Sequence, residues 1–182
     1  MDSTSDLYQF GAKYTIIFQS THKLLEKYSL LPASEWGNLA EERLAFVRTI
    51  CESVQGKIVY YNYPEIGDGV FGSYENKVPS SFIYQIRKIN LGLMELAQEY
   101  QNLFICDLSE IQAKYGRDFF FDSSVYVSTE MILSVDALPI ISSRTLDIIC
   151  AIEGKFKKCL ILDLDNTVWG GVVGDDGWEN IQ

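Results

Sequence analysis

A single histidine, His22, occurs in 182 residues. Four cysteines are present, Cys51, Cys106, Cys150 and Cys159, and no two of them stand in a Cys-x-x-Cys spacing. That removes the usual grounds for a structural zinc site. Each cysteine lies within an apolar segment, so buried free thiols in a reducing compartment are expected. No apolar run approaches the ~20 residues that a membrane helix needs. The net charge is −10 and no Lys/Arg-rich run relieves it, which makes nucleic acid and anionic membranes poor partners. The opening Met1-Asp2-Ser3-Thr4-Ser5-Asp6 is polar and acidic rather than signal-like, so the expected location is the cytoplasm.

What is there is enough for a core. Hydrophobic residues make up 47% and charged residues 22%, which argues against wholesale disorder. Short apolar runs alternate with helical stripes. Tyr14 to Phe18, Lys57 to Tyr61 and Leu103 to Cys106 read as strands. Asn38 to Ser53, Ser80 to Tyr100, Ser109 to Tyr115 and Asp136 to Ile152 read as helices. Asn38 with Glu41 has the pattern of a capping box, and Gly56 reads as a C-cap. Pro139 falls in a first turn, where a missing N–H costs little. Strand, helix, strand in this order predicts a parallel α/β sheet covered on both faces. Three strands are few for so many helices, so further strands are expected upstream. The boundaries read as one domain over 1–153 and the start of another over 154–182.

The sharpest feature comes late. Cys159-Leu160-Ile161-Leu162 suits a strand buried on both faces, and it ends on Asp163-Leu164-Asp165-Asn166-Thr167. Acids at i and i+2 of a strand share a face. Two carboxylates at the end of a buried strand are costly unless a cation, donors or catalysis holds them. Earlier in the chain, Gln19-Ser20-Thr21-His22 and Asn62 follow strands, at the edge where open α/β sheets bind ligands. His22 reads more readily as a loop or surface histidine than as a catalytic one. Asn62 either orients a ligand or bonds its own loop backbone, the commoner use.

Asp163-Leu164-Asp165-Asn166-Thr167-Val168, preceded by its apolar run, resembles the first motif of the haloacid dehalogenase-like (HAD) superfamily. With Trp169-Gly170-Gly171 and Gly174-Asp175-Asp176-Gly177 it is similar to the FkbH-like, subfamily III branch. The resemblance implies a Rossmann-like HAD domain opening with this strand, followed by a flap built as a hairpin from Val172-Val173. It implies Asp163 as a nucleophile forming an aspartyl-phosphate, and Asp165 as the acid and base. Asn166 and Thr167 would shape the turn at the substrate. Mg²⁺ would sit on the Asp163 carboxylate and the Asp165 carbonyl. The superfamily's later Ser/Thr, Lys/Arg and acidic motifs have no counterpart before Gln182, so this chain alone is expected to have negligible phosphatase activity.

The region from Tyr14 to Ile152 resembles an SGNH (GDSL-type) hydrolase, a flavodoxin-like three-layer fold. It lacks a Gly-Asp-Ser, and Asp122-Ser123-Ser124-Val125 carries valine where the family's Asp-x-x-His has histidine. Without a base, triad chemistry fails, which favours a degenerate domain that binds or docks. Relatives of this kind imply a phosphorylated small acid as substrate and an acyl carrier protein as acceptor. An SGNH-type ester hydrolase and a non-catalytic docking module are the alternative readings.

Overall fold

The computed structural model describes residues 10–155, 159 and 161–179. Two compact units divide it, Met1–Ile149 and Cys150–Gln182. The first is built on a three-stranded parallel sheet with strand order β1-β2-β3. Strand β1 (Tyr14–Ile17) is followed by α1 (Thr21–Leu30), a 3₁₀ turn (Trp36–Asn38) and α2 (Leu39–Ser53). Strand β2 (Lys57–Tyr61) leads through a loop and a second 3₁₀ segment (Gly72–Lys77) into α3 (Phe82–Glu99). After β3 (Leu103–Cys106) come α4 (Leu108–Tyr115), α5 (Arg117–Phe120), α6 (Ser123–Thr129) and α7 (Ala137–Ile152). The mixed α/β architecture is the one expected from the sequence. Among the described residues no helix is long and apolar enough to cross a membrane.

The pleat of β2 explains the layers. Ile58 and Tyr60 turn to one face and join residues of α1, α2 and α3, including Leu24, Tyr28, Val47, Ile86 and Leu93. Val59 and Tyr61 turn to the other and meet Cys106, Leu108, Ile111, Phe120, Ala137 and Ile141. A strand buried on both faces needs apolar side chains at successive positions, and Ile58, Val59 and Tyr60 are all fully buried. Full burial of one such aliphatic side chain contributes about 1.5–3 kcal/mol. At the sheet edge the two faces of β1 are covered unequally by the described residues. Ile17 packs on the first core, whereas Ile16 remains 51% and Phe18 40% exposed.

Two local expectations are corrected. The capping box at Asn38 does not form, because Asn38 is already in a helical conformation with no side-chain cap. The buried Ala40 amide donates instead to Gln85 Oε1 of α3 at 2.8 Å, while Gln85 Nε2 donates to Pro79 O at 2.7 Å. A side chain distant in sequence thereby satisfies a helix end that the local pattern would have capped itself. Gly56 is not the C-cap of α2, whose last carbonyls close at Val54. Its requirement is spatial, since a Cβ there would stand 2.1 Å from the Ala12 carbonyl oxygen and 3.0 Å from that of Lys13. The cysteines also divide: Cys51 and Cys106 are buried free thiols, but Cys159 is exposed.

In the second unit the strand expected over Cys159–Leu162 lies partly outside the described residues. Its described members carry no strand, and Ile161 and Leu162 are 89% and 51% exposed. Among the described residues no sheet neighbour supplies hydrogen bonds there, and an apolar run without a partner does not make a buried strand. The expected Val172-Val173 hairpin is a single helical turn, α8 (Val173–Asp176). It closes because Asp175 N–H donates to Val172 O and Gly177 N–H to Val173 O, at 3.0 and 3.1 Å.

Replacing Gly56 by Ala should destabilise the first unit by about 1–3 kcal/mol, because the clash is with backbone that must shift. Urea unfolding of the two proteins checks this; equal midpoints and slopes would show that the 12–13 turn gives way freely.

Candidate functional site

The carboxyl ends of β1, β2 and β3 place Gln19, Asn62, Tyr63 and Asp107 along one edge. Asn62 is the hinge of this edge. It is 6% exposed, its Nδ2 donates to Asp107 Oδ1 at 2.7 Å, and its Oδ1 accepts the N–H groups of Leu108 and Ser109 at 2.7 and 3.2 Å. It therefore caps α4 rather than its own loop. The next residue is held equally firmly. Asn90 of α3 accepts Tyr63 N–H at 2.9 Å and donates to Tyr63 O at 2.8 Å, and Ser109 Oγ donates to the same carbonyl at 2.8 Å.

Gln19 is the second focus. Its Oε1 accepts from Tyr63 OH at 2.9 Å, Tyr60 OH at 3.2 Å and the guanidinium of Arg43 on α2. The two phenol oxygens stand 2.8 Å apart, and since each hydroxyl has one proton, whichever donates across this pair does so in place of its bond to Gln19. Burial pushes both tyrosine hydroxyls well above their ordinary range, so they stay neutral donors. Arg43 was not singled out from the sequence; a lone arginine on an amphipathic helix carries no signal of the strand end it will reach.

Above this floor lies a cleft of two neighbouring lobes. The larger encloses about 500 Å³ and includes Lys23, Lys27 and Arg43 with Glu130 among its lining residues. The smaller encloses about 180 Å³ and is walled chiefly by Phe18, Phe120, Phe121, Ile66 and Leu133, with Thr21 and His22 at one side. Phe18, Gln19, Ile132 and Leu133 border both. His22 is the second residue of α1 and stacks on Phe121, ring centroids 4.5 Å apart. Its burial lowers its pKa from the ordinary value.

No hydrolase triad is assembled among the described residues. Asp122 caps α6, accepting from Ser124 N, Ser124 Oγ and Val125 N at 2.9, 2.7 and 3.3 Å. Those donors, the Ser124 hydroxyl first, hold its pKa below the usual carboxylate value. His22 Nδ1 is buried without a partner among the described residues, so the carboxylate that would orient a catalytic imidazole is not bonded to it.

The acidic motif is described by itself, within the second unit. Asp163 is exposed, as are Asn166 and Thr167, while Asp165 is half-buried. The loop closes on itself: Leu164 O receives the N–H groups of Thr167, Val168 and Trp169 at 3.4, 3.0 and 3.4 Å. Asn166 adopts φ +55, which asparagine tolerates better than most residues. Its amide and side chain meet Gly171, with Asn166 N–H to Gly171 O at 3.2 Å and Gly171 N–H to Asn166 Oδ1 at 3.0 Å. Asp165 Oδ1 accepts from the Trp169 indole at 3.1 Å and from Val173 N–H at 3.2 Å. The four residues named from the sequence thus lie close together in one loop, and none belongs to a strand of the described sheet.

Among the described residues no three His, Cys, Asp or Glu side chains gather into a metal site. Mg²⁺ is commonly held by one or two carboxylates, the rest of its octahedron being water and phosphate oxygen. An exposed Asp163 carboxylate and the Asp165 main chain are hard oxygen donors of that kind, so the donor chemistry fits.

These features define a three-layer parallel α/β protein with its cleft at the carboxyl edge of the sheet, followed by an acidic loop. The family model of the FkbH N-terminal domain matches residues 1–150, and the chain belongs to that family. Among solved structures it is similar, at 68% identity and a TM-score of 0.90, to the N-terminal part of the protein BF1531 from Bacteroides fragilis. That structure is described as containing a phosphatase domain, complexed with Mg; the match covers 100% of this chain and 48% of that one. No curated protein sequence matches the chain.

The His22 shift has a definite sign. The unfolded histidine titrates near its ordinary pKa of 6.5 and the folded one lower, so the unfolded state binds more protons between the two. Stability should therefore fall as pH drops through 6.5 toward the folded value and rise with pH above it. Because the chain has one histidine, His22→Gln should remove this part of the slope. Urea unfolding from pH 7.5 downward compares the two; identical slopes would contradict the burial of the ring.

Proposed function

We propose that the protein to which this chain belongs is a Mg²⁺-dependent phosphatase or phosphotransferase of the HAD type, acting through an aspartyl-phosphate on Asp163. The observation carrying this reading is the loop closed at Leu164 O and Asn166, which leaves Asp163 exposed at its start. The 68% identity to the N-terminal part of a phosphatase-domain protein solved with Mg supports it.

In this mechanism the Asp163 carboxylate attacks phosphorus and the leaving oxygen takes a proton from Asp165. Asp165 then removes a proton from the water that hydrolyses the acyl phosphate. Trp169 and Val173 hold Asp165 Oδ1 in position. Asn166 and Thr167 bind at the substrate side. The Asp163 carboxylate and the Asp165 carbonyl would hold Mg²⁺, which would supply positive charge for the phosphoryl oxygens. Residues 159–179 contain no Lys, Arg or His, so within that segment the metal is the source of positive charge.

The substrate class follows as a phosphorylated small acid, with an acyl carrier protein as acceptor, and the sheet domain serves as a binding or docking module in the cytoplasm. The docking role is favoured by Asp122, whose carboxylate is committed to capping α6.

In the full-length protein Asp163→Asn should abolish Mg²⁺-dependent release of phosphate from a chromogenic ester, a loss of at least about 10³-fold, since a nucleophile forming a covalent intermediate has no substitute. Retention of most of the activity would remove Asp163 from the mechanism. The 182-residue chain alone should release negligible phosphate under the same conditions.

A further inference from the structure

The larger lobe of the cleft carries a charge opposite to that of the chain around it. The chain has a net charge of −10, yet among the described residues the lobe is bordered by three cations, Lys23, Lys27 and Arg43, against one anion, Glu130. Lys23 and Lys27 stand one turn apart on α1 and so share a face, while Arg43 comes from α2. The lysines are exposed and Arg43 is half-buried, so none of the three side chains is closed off from a guest.

Their partners leave most of that charge unanswered. Lys23 meets Glu130 at 3.8 Å across exposed side chains, a pair too weak to hold either group. Among the described residues neither Lys27 nor Arg43 is in an ion pair. The Arg43 guanidinium bonds to Gln19 Oε1, a neutral acceptor, and lies over the Phe46 ring at 5.4 Å. That bond uses one of several N–H donors. The remaining fork is planar and matches a carboxylate or phosphate with two parallel bonds.

The other walls are apolar. Phe18, Leu24, Met131, Ile132, Leu133 and Leu138 line the lobe. Its volume of about 500 Å³ falls within the range of small-molecule sites, roughly 300–1,000 Å³. A bare inorganic ion gains nothing from such walls, whereas a charged head on an apolar body meets both kinds of surface.

We propose that the larger lobe binds an amphipathic organic anion, a carboxylate or phosphate head on an apolar body of medium length. The head bonds to Arg43, with Lys27 and Lys23 adding attraction, and the body lies against Phe18 and residues 131–133. Gln19, itself bonded by the tyrosines, fixes the guanidinium in advance, which lowers the ordering cost of binding. This binding needs neither the acidic loop nor Mg²⁺, so it stands or falls apart from the phosphatase reading.

Three methionines occur in the chain. Met131 lines the lobe, and Met94 lies outside it on α3. The chain carrying ¹³C-methyl methionine, assigned with Met131→Leu, is titrated at pH 7.5 without Mg²⁺ with octanoate, octyl phosphate and octanamide. At least one of the two anions should shift the Met131 methyl resonance saturably and leave Met94 in place; the tighter of the two identifies the head. Octanamide, with the same body and no charge, should bind at least about tenfold more weakly. Arg43→Gln should weaken the anion about tenfold and leave octanamide unchanged. Lys27→Gln should weaken it about two- to threefold, and Lys114→Gln, the same charge change on α4 away from the lobe, should leave it unaltered. Absence of a saturable Met131 shift would overturn the proposal, as would octanamide binding as tightly as the anions or full anion affinity in Arg43→Gln. Equal losses in Lys27→Gln and Lys114→Gln would do the same, and that comparison decides if Arg43→Gln fails to fold.

Discussion

The end of β2 must pass from a buried strand into a loop between two helices without stranding its backbone, and two asparagine side chains make this possible. Asn90 presents an amide to Tyr63 as another strand would, taking its N–H and giving to its carbonyl. Asn62 turns the other way and accepts the first amides of α4. Both tasks require a donor and an acceptor on one planar group, which neither a carboxylate nor a hydroxyl offers in that geometry. The cleft exists because this junction is fixed: Tyr63 can then reach Gln19, and Gln19 can gather the ends of β1, β2 and α2 at one oxygen.

The sheet and its helices were legible because their signal is local. Ile58, Val59 and Tyr60 in succession announce a strand buried on both faces, and the long helix from Phe82 repeats its apolar residues at helical spacing. What escaped the sequence depends on partners far along the chain. Asn38 and Glu41 spell a capping box, yet Gln85, separated by 45 residues from Ala40, supplies the acceptor. Gly56 reads as a helix stop and is needed for the approach of residues 12 and 13. In the same way Asn62 was expected either to orient a ligand or to bond its own loop, and its actual partners, Asp107, Leu108 and Ser109, were not foreseeable.

The acidic loop shows the converse. Asp163, Asp165, Asn166 and Thr167 were identified from their order alone, and they are neighbours in the fold. The secondary structure expected around them differs: one helical turn stands where a hairpin was anticipated, and the described members of the preceding apolar run carry no strand. Strand character is conferred by neighbouring strands, and an apolar run such as Ile161-Leu162 has no intrinsic means of supplying them.

The cleft's two sides are unequally made, and this bears on how it discriminates. One side is the Gln19, Tyr60, Tyr63 and Arg43 network, every member of which is tied to another element. The other is the segment from Glu130 to Leu133, which begins with a left-handed residue at φ +57 and carries no helix or strand. Its outward tie to α1 is a surface ion pair, Lys23 to Glu130 at 3.8 Å, of a type that contributes little. The polar groups that face the larger lobe are therefore gathered on the bonded side, in Gln19, Tyr63 and Arg43, while Met131, Ile132 and Leu133 give the opposite side an apolar surface.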